Sequence, residues 1–304
     1  MKRWISITLC GLLLASFGCL LKTGPEAVRV SGQVTRNGEP MADVIVSLLG
    51  TDIYTVTNEN GQYSLNVSTV EPGEYTVKAA WKGHYCPVTQ QITVENTSLT
   101  DVDFLLDDAP YLYADFDDEE VGDLPLITGI RSKNNLLPQI VDNPGDRPGK
   151  SVRLTKADVT QGNAEDFYYV LPETIEDKVT VETWLYAEGT SRSIALGVGD
   201  QNVSDLSAVS VYLYSNGKIY YYAGGFKDTG ATYEAGKWFH LKVVVDVPAQ
   251  QYDIYVDGEK VTDVPAPFRN DKLTKLNRVG FFMYVAPGNE PQPVYVDSLL
   301  VYQE

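Results

Sequence analysis

Glu182 stands in the segment Val179–Tyr186, where apolar and polar residues alternate as in a strand, and Thr180 and Trp184 share its face. Two carboxylates at alternate positions of one strand point the same way and can flank a glycosidic bond as acid and base or nucleophile. The spacing Glu-x-Asp-x-x-Glu does not occur in the chain, so Glu182 lacks its second member and reads as an isolated surface carboxylate. His240 lies in GKWFHLKVVVD, whose Phe239, Leu241, Val243 and Val245 form one face and Trp238, His240, Lys242 and Val244 the other. Elimination across a uronate needs a neutralising group and a Tyr or His to move the proton, and His240 with the many tyrosines keeps that chemistry open. No Arg or Gln partner motif accompanies His240, which reads as an exposed strand residue. A Gly-x-Ser-x-Gly elbow is missing, and no catalytic residue is expected.

Two other groups of residues suit binding. Asp115 and Asp117 sit two apart on a probable strand, and Asp118, Glu119, Glu120 and Asp123 follow. Such oxygen-rich clusters suit a hard cation. With Asp297 on the terminal strand they could hold a structural calcium where the first and last strands meet; the alternative is a solvated acidic turn. No other cofactor is expected. The second group is the hairpin VYLYSNGKIYYY, in which Asn216-Gly217 is the preferred pair for a two-residue type I′ turn. That turn predicts Tyr214 opposite Ile219, Leu213 opposite Tyr220 and Tyr212 opposite Tyr221. Tyr212, Tyr214 and Tyr221 then stand side by side, opposite a core face of Val211, Leu213, Tyr220 and Tyr222. Flat rings there could stack on the apolar faces of sugars, or pack under a loop or against another domain.

The elements that must position these groups are strands throughout. Short alternating runs recur between turn signals such as Asn37-Gly38, Asn60-Gly61 and Pro72-Gly73, with no sustained helical period after the N-terminus. About seven strands fill residues 27–107 and fit a sandwich. Asp107-Asp108-Ala109-Pro110 closes it, since Pro cannot continue a ladder. Residues 110–304 open with YLYADFDDEEVGDLP and end with VYVDSLLVYQE, strand-like segments that commonly pair in a jelly roll, and the strands between them fit a curved double sheet.

VSGQVTRNGEPMADVIVSL, TNENGQYSLNV and EPGEYTVKAAWKGHY resemble the carboxypeptidase regulatory-like domain, a transthyretin-like, or prealbumin-like, sandwich. The resemblance implies a non-catalytic spacer or adhesion module. It does not imply peptidase activity, because the segment offers only His84 as an imidazole ligand, and His84 reads as a packing residue. VTVETW, GKWFHLKVVVD, YDIYVDGEKV and YVDSLLV, in that order, resemble the laminin-G-like branch of the concanavalin A-like lectin and glucanase fold. That fold hosts lectins, adhesion modules, glycosidases and lyases, so it does not decide function.

The first 21 residues, MKRWISITLCGLLLASFGCLL, place Lys2 and Arg3 ahead of an apolar run, the pattern of a secretory signal. Ala15-Ser16-Phe17-Gly18-Cys19 resembles a bacterial lipoprotein signal, which implies residues 1–18 as signal peptide, acylation at Cys19 and residues 19–26 as anchor and tether. Cleavage after Gly18 without acylation and an uncleaved anchor from Trp4 to Leu21 remain open. The expected place is the cell envelope, as an outer-membrane or cell-surface lipoprotein. Cys10 would leave with the signal, so Cys86 is alone in the folded part and no internal disulfide forms. The formal net charge of -17 repels phosphate backbones and argues against nucleic acid as a partner. The reading that results is an envelope-anchored protein that binds a polysaccharide or glycoconjugate, with an atypical lyase or hydrolase and a purely structural surface protein as alternatives.

Overall fold

The computed structural model describes residues 27–83, 85–131, 137–155, 165–190, 193–202, 207–284 and 292–303. Cys19 and His84 lie outside the described residues. Among the described residues there is no helix, and the chain forms strands β1 to β24.

The first sandwich contains β1 (Arg29–Arg36), β2 (Glu39–Pro40), β3 (Val44–Leu48), β4 (Tyr54–Val56), β5 (Gln62–Asn66), β6 (Gly73–Trp81), β7 (Tyr85–Val94) and β8 (Phe104–Leu105). One sheet orders β2-β1-β5 with β8 parallel to β1, and the other orders β4-β3-β6-β7. The inward set is the one that alternation predicts: Val44, Val46 and Leu48 on β3 and Tyr63 and Leu65 on β5 are buried. Cys86 is buried and unpaired, as a lone thiol must be, and burial pushes its pKa up.

The second sandwich contains β9 (Leu112–Ala114), β10 (Gly129–Arg131), β11 (Gln139–Asp142), β12 (Lys150–Leu154), β13 (Glu165–Ile175), β14 (Lys178–Ala187), β15 (Ser193–Gly199) and β16 (Ser207–Leu213). It continues with β17 (Lys218–Tyr222), β18 (Phe226–Thr232), β19 (Trp238–Asp246), β20 (Gln251–Val256), β21 (Glu259–Lys260), β22 (Ala266–Pro267), β23 (Leu276–Tyr284) and β24 (Val294–Tyr302). A seven-stranded sheet orders β10-β13-β23-β15-β16-β17-β18, and a nine-stranded sheet orders β11-β12-β24-β14-β19-β20-β21, with β22 on β20 and β9 on β24. The opening and closing strands do pair: β9 runs antiparallel to β24 with Leu300 opposite Tyr113.

The core lies between these two sheets. β19 alternates strictly, burying Phe239, Leu241, Val243 and Val245 and leaving Trp238, His240, Lys242 and Val244 half-buried outside. At about 1.5–3 kcal/mol for each such side chain, this one strand gives its face a strongly preferred direction. From the other sheet β15, β16 and β23 face this core with Ile194, Leu196, Val209, Val211, Phe281 and Met283.

The two sandwiches meet through polar as well as apolar contacts. Arg36 pairs with Glu173 at 2.5 Å, Lys78 reaches Asp118 at 3.0 Å and Asp115 at 3.9 Å, and the Tyr85 and Thr128 hydroxyls lie 2.7 Å apart. The Tyr85 ring also meets Tyr169 edge-on at 6.3 Å. Beside Lys78 a cleft of about 690 Å³ opens between the loop after β3 and the acidic segment after β9.

Candidate functional site

The tyrosine hairpin forms, but with a different turn from the one that Asn-Gly predicts. The Tyr214 amide donates to the Lys218 carbonyl at 2.9 Å and the Gly217 amide to the Tyr214 carbonyl at 3.1 Å, which makes a three-residue connection. Gly217 alone takes the left-handed conformation in that loop, at φ 77°, the geometry of a tight turn ending in a glycine bulge. Asn216 instead spends its side chain locally: its Oδ1 accepts from the Lys218 amide at 3.1 Å and its Nδ2 donates to the Tyr220 hydroxyl at 3.0 Å.

One extra loop residue shifts the register by one, and a shift of one turns a strand over. The pairs are Leu213 with Ile219, Tyr212 with Tyr220 and Val211 with Tyr221. Tyr221 therefore points inward, its ring edge-on to buried Tyr252 at 6.4 Å, and is not part of the outer row with Tyr212 and Tyr214. Tyr220 and Tyr222 take its place, reversing the expectation that they face the core.

The outer face of β16, β17 and β18 is thus an aromatic cluster. Phe226, brought opposite Tyr222 by the turn through Gly224 and Gly225, lies 5.0 Å from Tyr212, 5.4 Å from Tyr214 and 5.5 Å from Tyr222 between ring centroids. Tyr214 meets Tyr220 at 5.3 Å, and Tyr212 meets Phe282 of β23 at 5.7 Å. Edge-on packing of this kind stabilises the rings while leaving faces and rims to solvent. Exposure divides the roles: Phe226 is 50% exposed and Tyr214, Tyr220 and Tyr222 are half-buried, whereas Tyr212 is only 7% exposed. Tyr212 is the support beneath the cluster, and burial raises its pKa while nearby Arg269 opposes the rise.

Arg269 closes one end of the cluster. Its backbone amide donates to the Ala208 carbonyl at 2.8 Å, which places the side chain beside β16. The guanidinium lies 4.6 Å from the Tyr222 ring centroid and donates to the Tyr212 hydroxyl at 3.2 Å. Neither Phe226 nor Arg269 stands out in the sequence; the Gly224-Gly225 turn signal could have placed Phe226 beside Tyr222, and nothing local points from Arg269 to a strand 57 residues away.

Across the molecule, the outer face of the nine-stranded sheet holds Glu182, Trp184 and His240. Glu182 is engaged by three neighbours: His240 Nε2 at 3.1 Å, Lys242 Nζ at 3.4 Å and the Tyr302 hydroxyl at 2.7 Å. Trp184 packs against His240 at 5.2 Å, and the Arg147 guanidinium lies 4.5 Å from the Trp184 ring centroid and 5.6 Å from that of Trp238. Trp238 Nε1 donates to the Pro144 carbonyl at 2.7 Å, and Tyr295 donates to Glu188 at 2.5 Å.

The three carboxylates expected to share a calcium ion are separately engaged. Asp297, on the bulge where Ser298 takes φ 51°, is buried against Arg147 Nε at 2.5 Å and also accepts from Asn143 Nδ2. Asp115 faces Lys78, and Asp117 Oδ1 accepts from the Lys150 amide at 2.8 Å. Among the described residues no three carboxylate, imidazole or thiolate groups converge as a metal site. Lys78 faces Asp115 and Arg147 faces Asp297, so a protein cation lies beside each of these two carboxylates, whereas Asp117 is met by a backbone amide.

Comparison with known proteins fits this architecture. The family model for the carboxypeptidase regulatory-like domain matches residues 29–107, and that for the concanavalin A-like lectin/glucanases superfamily matches residues 163–303. Among curated proteins none matches the chain by sequence. Among solved structures, a sialidase superposes over 83% of this chain with a TM-score of 0.50 and 13% identity, and the chain spans only 26% of that protein's length. A Trypanosoma rangeli sialidase in complex with 2,3-difluorosialic acid superposes over 55% of this chain and 27% of its own, at 13% identity and a TM-score of 0.37. A structure reported with endo-acting O-glycanases of the human gut microbiota covers 64% of this chain and 100% of its own, at 10% identity and a TM-score of 0.46. At such identities the likeness is one of fold. The chain carries a carboxypeptidase regulatory-like domain followed by a domain of the concanavalin A-like lectin/glucanases superfamily.

Proposed function

We propose that the protein is a non-catalytic carbohydrate-binding protein of the cell envelope, whose second domain binds a polysaccharide or glycoconjugate on the outer face of β16, β17 and β18. The observation that supports this reading most is the cluster of Tyr214, Tyr220, Tyr222 and Phe226, aromatic rings that remain accessible on an open sheet face. Sugars present apolar C–H faces to such rings and hydroxyls to their phenolic rims. Exposed contiguous apolar surface on a soluble domain marks a binding site more often than chance. The first domain acts as the spacer, and the ion pairs between the domains hold the second one at a fixed distance from the membrane. The N-terminal Lys2, Arg3, apolar run and Cys19 support attachment through a lipid on Cys19.

Affinity electrophoresis through gels containing plant, microbial and animal polysaccharides tests the site. Retardation of the native chain by at least one polymer, reduced in a folded Phe226→Ala variant, is the expected result. Unchanged retardation of that variant removes this face as the site. Detergent partitioning tests the anchor: a Cys19→Ser chain should leave the detergent phase, and its continued processing and partitioning would contradict acylation there.

A further inference from the structure

We propose that this surface selects glycans bearing a carboxylate, with Arg269 as the residue that reads the acid; this rests on the carbohydrate reading of the tyrosine face and specifies its ligand class. The chain is strongly acidic, at a net charge of -17, and its arginines have carboxylates to choose from. Arg36 takes Glu173 and Arg147 takes Asp297, each at 2.5 Å. Arg269 pairs with no carboxylate among the described residues. Its contacts are the face of Tyr222, at 4.6 Å, and the Tyr212 hydroxyl, which accepts one of its five side-chain N–H groups at 3.2 Å.

Those two contacts orient the fork without neutralising it. A guanidinium stacked on a tyrosine and tethered at one nitrogen loses little further freedom when it binds, and its planar donors match a carboxylate in bidentate fashion. Arg269 is half-buried at the end of the aromatic cluster. A sugar ring stacked on Phe226 and Tyr222 would bring an equatorial carboxylate toward that fork, while its hydroxyls met the rims of Tyr214 and Tyr220. The overall negative charge works in the same direction for specificity. It disfavours anions elsewhere on the surface, so an acidic ligand gains only where a positive group is within hydrogen-bond reach.

The alternative role for Arg269 is a strut that merely holds Tyr212 and Tyr222 in place. A strut supports acidic and neutral sugars alike, so matched ligands separate the two roles. The test is an array carrying pairs that differ only in the acid: glucuronate and glucose, galacturonate and galactose, sialylated and desialylated oligosaccharides. It is probed with the native full chain, Arg269→Gln, Arg269→Lys and Phe226→Ala.

The expected result is a preference of the native chain for the acidic member of at least one pair by about tenfold or more, the worth of a charge-assisted hydrogen bond. Arg269→Gln should reduce that preference to below about twofold by lowering affinity for the acidic member more than for the neutral one, and Arg269→Lys should restore it only partly. Equal or better binding of the neutral members overturns the acid preference and leaves the carbohydrate reading intact. Equal loss for both members in Arg269→Gln shows a strut and also overturns the inference. Binding to no member of any pair overturns both. Melting curves of each variant confirm that the comparison is between folded proteins.

Discussion

The two outer faces of the second sandwich both carry aromatic residues and differ in the partners of the charged groups beside them. On the nine-stranded sheet the charges around Trp184 are met within the protein: Arg147 by Asp297, Glu182 by His240, Lys242 and Tyr302, and Glu188 by Tyr295. Even the Trp238 indole N–H is taken, by the Pro144 carbonyl. On the seven-stranded sheet the cluster of Tyr214, Tyr220, Tyr222 and Phe226 ends in an arginine that has no carboxylate among the described residues. A network satisfied internally has little to gain from a ligand and much to lose when a member is removed; an unsatisfied one has the reverse balance. Aromatic content alone would rank the two faces together. Their ionic partners differ: on the seven-stranded face Lys218 is paired with Asp228, but Arg269 at the end of the cluster is not paired with a carboxylate among the described residues, and the proposed recognition role rests on that difference.

The largest effect should come from breaking the closed face. Asp297→Ala leaves Arg147 without its buried partner and should cost about 3–5 kcal/mol. A fall in melting temperature of about 10 °C, with glycan affinity unchanged, is the expected outcome. Loss of affinity at unchanged stability would invert the comparison.

Tyr212 sharpens the contrast inside the open face, because it supports the cluster from a position only 7% exposed. Tyr212→Ala should cost about 3 kcal/mol and reduce binding as well, whereas Tyr212→Phe removes only the hydroxyl that receives Arg269 and should cost about 1 kcal/mol or less. Chemical denaturation of both variants reads the difference. Phe226→Ala, by contrast, should weaken binding by about tenfold while changing stability by less than about 1 kcal/mol, since half the ring already faces water.

The smallest expected effect lies at the junction of the domains, which resembles the closed face in its ionic pairing. Burial works against the Lys78 ammonium, but Asp115 and Asp118 together hold its pKa above the usual value. Glu119, nearby, is pushed up to about 7 by burial, with the Leu126 amide as its hydrogen-bond donor at 2.8 Å. The folded protein then keeps a proton on Glu119 that the unfolded chain releases, so this group makes stability fall as pH rises from about 4.5 toward 7. Glu119→Gln should flatten that part of the melting curve against pH and raise stability at pH 8. An unchanged pH profile would show that Glu119 is solvated like an ordinary surface carboxylate.

Much of the fold was legible because alternation is a direct record of which side of a sheet is buried. Phe239, Leu241, Val243 and Val245 had only one way to face, and the same holds for Val44, Val46 and Leu48. The candidate site was half legible. Asn216-Gly217 announces a turn but not its length, and a two-residue and a three-residue loop differ by one step of register, enough to exchange Tyr221 for Tyr220 and Tyr222. Arg269 was beyond reach for another reason: its position beside Tyr212 and Tyr222 depends on a backbone hydrogen bond to Ala208, a contact between distant parts of the chain. The surroundings of Asp115 were legible only in part, because counting acids along the sequence left out Lys78, which the first domain contributes beside Asp115 and Asp118.

Hydrogen exchange of the full chain with and without a retained polysaccharide tests the division between the two faces most directly. The account predicts that protection on binding falls on residues 212–228, the hairpins that carry Tyr214, Tyr220, Tyr222 and Phe226, with β14 and β19 unchanged. Protection confined to β14 and β19, around Glu182, Trp184 and His240, would contradict it and move recognition to the nine-stranded face.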